Sequence, residues 1–370
     1  MKATQRTVRL ELAEPLRISR STMAAREAVW LSVEHDGQRG HGEAVTSAYY
    51  GLDTATLERL LSLAAAELAR FTDPETALEA LREGAVARQR AAVTAAVESA
   101  LLDLCGVRAG RPVHRLLGAT AAPRAATART LGILPVERAV AHARRLTRGG
   151  FCVLKLKAGT PDPEDDLARI RAVRAAAPHA RLLLDPNGAW TPAQARELLP
   201  RYAESGIEAV EQPLAPGDPE ALARLAAHSP LPVIADEDAV DLEDVRRLAG
   251  RVHGVNVKLA RCGGVHTALR IAAALEGSGT ALMLGCLTAS TLGIAPAVHL
   301  TDRARWIDLD GHLLLAHDPW TGIGGTDGVV RAGDRPGLGV RPRAATARDA
   351  TAAPEAAGEP EGRGHHDDMA

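Results

Sequence analysis

Three acids close three short apolar runs: Asp185 in LLLDPNG, Glu211 in AVEQP and Asp236 in VIADED. If these runs are consecutive parallel strands of a barrel, their ends converge on one rim, and acids ~25 residues apart in sequence come within a few ångströms of each other. Clustered anions repel unless a cation sits among them, and an all-oxygen donor set favours a hard ion such as Mg²⁺. One such acid could simply cap the helix that follows it. Three in consecutive register are better explained as a metal site. Two lysine-bearing runs flank the trio: Lys155 and Lys157 in VLKLKAG before it, and Lys258 in VNVKLARCGG after it. Lys155 and Lys157 share one strand face, because side chains alternate with period two. Across a barrel axis the two runs are opposite, so Lys157 and Lys258 can approach a substrate from opposite faces, one removing a proton and the other returning one. A lysine usually keeps its ammonium in water, so lysines inside apolar runs point to use. To act as a base near neutral pH its pKa must fall, and Mg²⁺ and Lys155 are expected to push it down.

A further pair of acids, Asp308 and Asp310 in WIDLDGH, falls at the end of the last apolar run. On one strand face and aimed into the barrel mouth, such a pair is a receptor for a cation; read as a turn, the Asp-Gly step would merely precede another strand. Other chemistries lack their signatures. HExxH, GxSxG and GxxxxGK[ST] do not occur, and His312 and His317 are spaced too awkwardly to share a metal. Cys105, Cys152, Cys262 and Cys286 match no CxxC or zinc spacing and suit buried free thiols in a reducing compartment. A net charge of -2, with arginines scattered among acids, argues against a nucleic-acid partner. No run approaches the ~20 apolar residues of a membrane span, and the first residues lack a signal-peptide pattern, so a cytoplasmic protein is expected.

The elements that must position these residues fit an α/β chain of 370 residues, enough for a barrel of about 250 residues and a smaller domain of roughly 100. With 46% hydrophobic but only 2% aromatic residues, the core must be aliphatic. Residues 1–120 read as an α+β domain, with strands at Val8 to Leu12, Ala28 to Glu34 and Gly40 to Ala44, an Asp36-Gly37 turn, and helices at Thr54 to Phe71, Pro74 to Ala85 and Ala91 to Leu104. Residues 121–330 alternate short apolar runs with amphipathic helices. The runs end at Leu131, Lys157, Asp185, Glu211, Asp236, Lys258, Leu284 and Asp308, spaced from Lys157 onward by 28, 26, 25, 22, 26 and 24 residues. Eight strands at so regular a period predict a (β/α) barrel. Residues 331–340 return to the first domain, and 341–370, poor in large apolar residues, are expected to be a disordered tail.

The set KxK, DxN, EQP, ADE and NVK…GG, in this order, resembles the muconate-lactonizing subgroup of the enolase superfamily, over nearly the whole chain except the tail. The resemblance implies a (β/α)7β modified barrel under an N-terminal α+β capping domain of the mandelate racemase/muconate-lactonizing type, with one Mg²⁺ per subunit. It carries acid/base roles to Lys157 and Lys258, metal ligation to Asp185, Glu211 and Asp236, carboxylate and enolate binding to Lys155, and supporting positions to Asn187 and Glu237. WIDLDGHLLLAHDPWTGI resembles dipeptide epimerases within the subgroup, which implies that Asp308 and Asp310 bind the ammonium of a dipeptide substrate. The same scaffold also carries N-acylamino acid racemases, o-succinylbenzoate synthase-like dehydratases and cycloisomerases; a non-catalytic barrel that only binds is the remaining alternative. LRISRSTMAARE and SAYYGLD resemble the family's two substrate-closing loops, with Arg20 the expected substrate contact and Arg17 and Arg26 as further candidates for an acidic side chain. Where relatives often carry Glu in a GCMxES-like run, this chain has GCLTAS, with Ala289 at that place. A homo-oligomer is also expected from the family.

Overall fold

A computed structural model of the chain describes residues 1–84 and 90–344. Three strands, β1 (Lys2–Ile18), β2 (Ser21–His35) and β3 (Gln38–Val45), form an antiparallel meander. The β2–β3 turn is Asp36-Gly37, with φ of 49° and 74°, the positive values that a two-residue hairpin with right-handed twist requires. β1 is far longer than its alternating stretch, Val8 to Leu12. The rest of it is largely exposed on both faces and is held by backbone pairing, from Lys2 opposite Glu34 to Ile18 opposite Ser21. The segment that resembled a loop is therefore a hairpin tip, turning at Ser19 and Arg20.

Against this sheet pack α1 (Thr54–Leu68), α2 (Pro74–Glu83) and α3 (Ala91–Arg108). Asp53 and Asp73 cap the first two by accepting from the Thr56 and Thr76 amides. In α3, 14 of 18 residues are buried. Strand β3 can lie directly on it because Gly40 and Gly42 lack side chains: a Cβ there would fall 2.2 Å from the Ala100 carbonyl oxygen and 2.0 Å from that of Ala96.

After a short helix α4 (Val113–Leu116) and a strand β4 (Arg124–Ala126), eight parallel strands follow in one sheet, each bonded to the next in chain order: β5 (Ala128–Leu131), β6 (Val153–Lys157), β7 (Arg181–Asp185), β8 (Ile207–Glu211), β9 (Val233–Ala235), β10 (Gly254–Lys258), β11 (Ala281–Gly285) and β12 (Trp306–Asp308). Asp236 thus lies one residue beyond its strand, and the seventh strand extends one residue past Leu284. Between them run α5 (Val136–Arg148), α6 (Pro163–Ala176), α7 (Pro192–Glu204), α8 (Pro219–Ala226), α9 (Leu242–Leu248), α10 (Leu259–Cys262) with α11 (Val265–Leu275), and α12 (Thr291–Val298). This is the (β/α)7β order. Between β12 and β5 the seam is bridged by side chains: Thr127 Oγ1 accepts from the Leu309 amide at 2.9 Å, and Asp310 Oδ2 accepts from the Thr130 amide at 2.7 Å. Inside, Ala128, Val153, Leu183, Ala209, Ile234, Met283 and Trp306 fill the lower barrel. Gly254 leaves room for the Trp306 ring, which would lie 2.7 Å from a Cβ there.

Three buried carboxylates of the first domain hold it to the barrel. Glu43 accepts from the Ser290 amide at the start of α12 (2.9 Å), Glu98 from the His266 amide at the start of α11 (3.0 Å), and Asp103 from the Leu338 amide of the returning chain (2.7 Å). Buried acids at helix N-termini gain both the free amides and the helix dipole. The returning chain ends in a two-residue strand β15 (Arg341–Pro342), paired with β13 (Trp320–Thr321); β14 (Val329–Arg331) pairs with β4. Order therefore extends past the expected tail start at 341, because a backbone ladder needs no large apolar side chain; residues 345–370 lie outside the described residues. The four cysteines are free, but only Cys105 and Cys262 are buried, and Cys152, in the turn before β6, is exposed. Among the described residues no helix is long and apolar enough to cross a membrane.

Burial pushes the Glu98 carboxyl from its ordinary 4.5 up to about 7, only partly offset by the His266 amide and Arg82. Between those values the folded chain holds a proton that the unfolded chain has lost. This contribution to stability is complete below about pH 4.5 and is lost as pH rises through about 7. Glu98→Gln should flatten the decline of unfolding free energy across this window in urea titrations; an unchanged slope would contradict the assignment.

Candidate active site

The barrel's parallel register sets the site. β6 places Lys155 and Lys157 on its inner face, and the ends of β7, β8 and β9 deliver Asp185, Glu211 and Asp236, which are 1%, 2% and 1% exposed. Lys157 Nζ donates to Asp185 Oδ2 at 2.5 Å, and Lys258 Nζ to Asp236 Oδ2 at 2.7 Å. Lys155 Nζ lies 3.0 Å from Asp185, 2.6 Å from Glu211 and 2.8 Å from Asp308. The structure thus brings together the three acids, the three lysines and Asp308. Lys157, Asp236 and Lys258 line a cavity of about 570 Å³ under the capping domain, together with the hairpin tip and the Ser47 to Tyr50 segment. β6 and β10 are four strands apart in a barrel of eight, so the two lysines enter this cavity from opposite sides.

The charges are tightly opposed. Burial, with Asp185 and Asp236 behind it, pushes the Glu211 carboxyl up to about 8 despite Lys155. Burial also acts on Asp185, but Lys157 and Lys155 outweigh it and hold that carboxyl down at about 2. Lys258 moves opposite to the sequence-based expectation: burial favours the neutral amine, yet Asp236 outweighs burial and Arg261, and the pKa rises above its ordinary value. Lys155 is likewise raised, against burial, by Asp308, Glu211 and Asp185.

Among the described residues no three His, Cys, Asp or Glu side chains stand as a ready ligand set for one ion, because lysine and arginine groups engage the carboxylates. The donor set nevertheless fits a hard divalent cation. Three buried carboxylates converge, and Glu211 Oε2 accepts no hydrogen bond although it lies near Lys155.

Asp308 and Asp310 are not equivalent. Asp308 bonds Lys155 and keeps its buried Oδ1 without a partner. Asp310 instead accepts from Arg129 Nη1 at 3.0 Å and from the Thr130 amide, across the barrel seam. Arg20 reaches the rim, donating to Glu237 Oε1 at 2.7 Å and to the Asn187 carbonyl at 2.9 Å, with its guanidinium 4.5 Å over the Tyr49 ring. Asn187 itself has φ of 51° and turns its amide back onto Asp185 Oδ1. Arg17 is exposed outside the cavity, whereas Arg26 lines it. Ala289 is buried against Gly293, where Glu43 Oε1 also lies, so an acid at 289 would face Glu43.

Sequence reasoning missed Arg261, Asn256, Gln212 and Arg129. Arg261 donates to Asp236 Oδ1 at 2.6 Å, Asn256 to Glu211 Oε1 at 2.8 Å, and Gln212 Oε1 accepts from the Asp236 amide at 2.9 Å. Asn256 could have been found, since it precedes Lys258 by two residues and so shares its strand face.

A (β/α)7β barrel whose mouth gathers buried carboxylates between opposed lysines, under an α+β cap, is the architecture of an acid/base enzyme that works with a metal. Residues 1–118 match the mandelate racemase/muconate lactonizing enzyme N-terminal domain, and 138–346 the family described as enolase C-terminal domain-like; the chain belongs to this family. It is 34% identical over 347 residues to a hydrophobic dipeptide epimerase of Roseobacter litoralis, covering 92% of this chain and 98% of that one. It is also similar to the dipeptide epimerase of Enterococcus faecalis solved with Mg and L-Leu-L-Tyr, at 30% identity and a TM-score of 0.85 over 92% of this chain and 98% of that one. The dipeptide epimerase of Methylococcus capsulatus solved with Mg and L-Arg-D-Lys is 31% identical, with a TM-score of 0.83 over 92% and 99% of the two chains.

Arg261→Met removes one of the two cations on Asp236 and leaves a buried carboxylate short of charge. The expected loss is about 3–5 kcal/mol of unfolding free energy by urea denaturation; a change below about 1 kcal/mol would show that Arg261 does not support Asp236.

Proposed function

We propose that this chain is a Mg²⁺-dependent dipeptide epimerase that inverts the α-carbon of the carboxy-terminal residue by 1,1-proton transfer. The observation that carries the reading is the pair of lysines, Lys157 and Lys258, entering one cavity from opposite sides of the barrel. Relatives of near-complete overlap named as dipeptide epimerases, two of them solved with Mg and a dipeptide, support it.

Asp185, Glu211 and Asp236 would hold the Mg²⁺, which would supply positive charge beside the substrate carboxylate. One lysine removes the α-proton and the other delivers a proton to the opposite face. Lys155, buried and held by Asp185, Glu211 and Asp308, adds positive charge where the enolate develops. The partnerless Oδ1 of Asp308 is the acceptor for the dipeptide's ammonium. Asp310 acts behind it: tied to Arg129 and Thr130, it fixes the segment that leaves β12 just after Asp308. Arg20 and Glu237, joining hairpin tip to rim, close the cavity over the substrate. Substrate is a small molecule, and neither nucleic acid nor membrane is a partner in this reading. Four unpaired cysteines suit a reducing cytoplasm.

Mass spectrometry of free dipeptides and N-acyl amino acids incubated with enzyme and Mg²⁺ in D₂O tests the proposal. Deuterium should enter one α-carbon of the dipeptides, cease on chelation and resume when Mg²⁺ is restored. Uptake confined to N-succinyl or N-acetyl amino acids would reject the epimerase and leave a racemase on the same barrel.

A further inference from the structure

Among the cations lining the cavity, Arg26 differs in its partners. Lys157, Lys258 and Arg20 each have a carboxylate at 2.5, 2.7 and 2.7 Å, namely Asp185, Asp236 and Glu237, and Arg9 pairs with Glu11 at 3.3 Å. Arg26, among the described residues, has no carboxylate within ion-pair distance. Its Nη1 bonds the Thr46 carbonyl, its Nη2 meets the Met23 Sδ at 3.3 Å, and its Nε is buried with no partner. The edge formed by Nε and Nη2, the one that grips a carboxylate with two parallel hydrogen bonds, is therefore engaged only by a weak sulfur acceptor. Burial lowers the guanidinium's pKa, opposed only by the neighbouring Cys286 thiol. A half-buried guanidinium without an anion is costly, and the missing anion can come from the ligand.

The position of Arg26 indicates which part of the ligand it meets. Cys286 follows β11, which lies between β10, bearing Lys258, and β12, bearing Asp308. Arg20, with Asn187 and Glu237, covers the other side of the mouth, over the ends of β7 and β9. With the dipeptide's ammonium at Asp308 and its reacting carbon between the two lysines, the side chain nearest Arg26 belongs to the amino-terminal residue. We infer that Arg26 selects dipeptides whose amino-terminal residue carries a carboxylate, Glu or Asp. This deepens the epimerase reading and rests on it.

The test compares kcat/KM for L-Glu-L-Ala, L-Gln-L-Ala and L-Ala-L-Glu in wild type, Arg26→Gln and Arg26→Lys. Glu and Gln are nearly isosteric, so their ratio isolates the charge. The wild type should favour L-Glu-L-Ala over L-Gln-L-Ala by about 10–100-fold, the range expected for a charge-assisted hydrogen-bonded pair. Arg26→Gln should bring the ratio close to one, and Arg26→Lys should leave it intermediate. If Arg26 serves only to brace the hairpin against Thr46, its substitution lowers both rates in parallel and the ratio stays, which overturns the inference. A wild-type ratio at or below one overturns it without any variant, and a preference for L-Ala-L-Glu over L-Glu-L-Ala overturns the assignment to the amino-terminal residue. Turnover of neutral dipeptides with no acidic preference removes only Arg26's role; no turnover of any dipeptide removes the epimerase reading as well.

Discussion

Three carboxylates at most 2% exposed cannot share a barrel mouth as bare anions, and much of this structure is arranged around that constraint. Taking an ion out of water costs several kcal/mol, and only close opposite charge with further hydrogen bonds offsets it. Here Lys155 touches Asp185, Glu211 and Asp308, Lys157 braces Asp185, and Lys258 shares Asp236 with Arg261. The amides of Asn187 and Asn256 take up remaining oxygens of Asp185 and Glu211. The same arrangement raises the pKa of Lys155 and of Lys258 above the ordinary lysine value, because their carboxylate partners outweigh burial. The network is both what holds the mouth together and what sets when a lysine can act as a base.

The capping domain is fixed by the same physics at a distance from the chemistry. Glu43, Glu98 and Asp103 each give a buried carboxylate to a backbone amide of the barrel or the returning chain. With the body of the cap anchored through α3 and β3, the long β1–β2 hairpin reaches over the barrel rim, where its tip meets Asn187 and Glu237. Loops that close over a substrate need such a fixed base, because the energy of closure is small beside that of a docked domain.

Much of this was legible in the sequence, and the reason is local periodicity. Six of the eight barrel strands end where their apolar runs end, at Leu131, Lys157, Asp185, Glu211, Lys258 and Asp308, and the other two miss by one residue. The residues at those ends inherited their convergence from the fold. What was not legible depends on partners far away in the chain. β1 is longer than its alternation because pairing with β2 orders residues whose side chains are exposed. Asp310 looked like a twin of Asp308, but Arg129, 181 residues away, claims it at the seam. Arg261 follows a lysine already assigned and carries no pattern of its own; only the fold brings it to Asp236.

The central claim is that Lys157 and Lys258 serve opposite faces of one carbon. Each should therefore exchange the α-proton of a different diastereomer. The decisive measurement is exchange of the α-proton in D₂O, followed by NMR for the L,L- and L,D-forms of a turned-over dipeptide, with Lys157→Ala and Lys258→Ala. The account predicts that neither variant epimerises, while each still exchanges the proton of one diastereomer, and the two variants exchange different ones. If both variants exchange the same diastereomer, or either one still inverts the carbon, the two-lysine account is wrong.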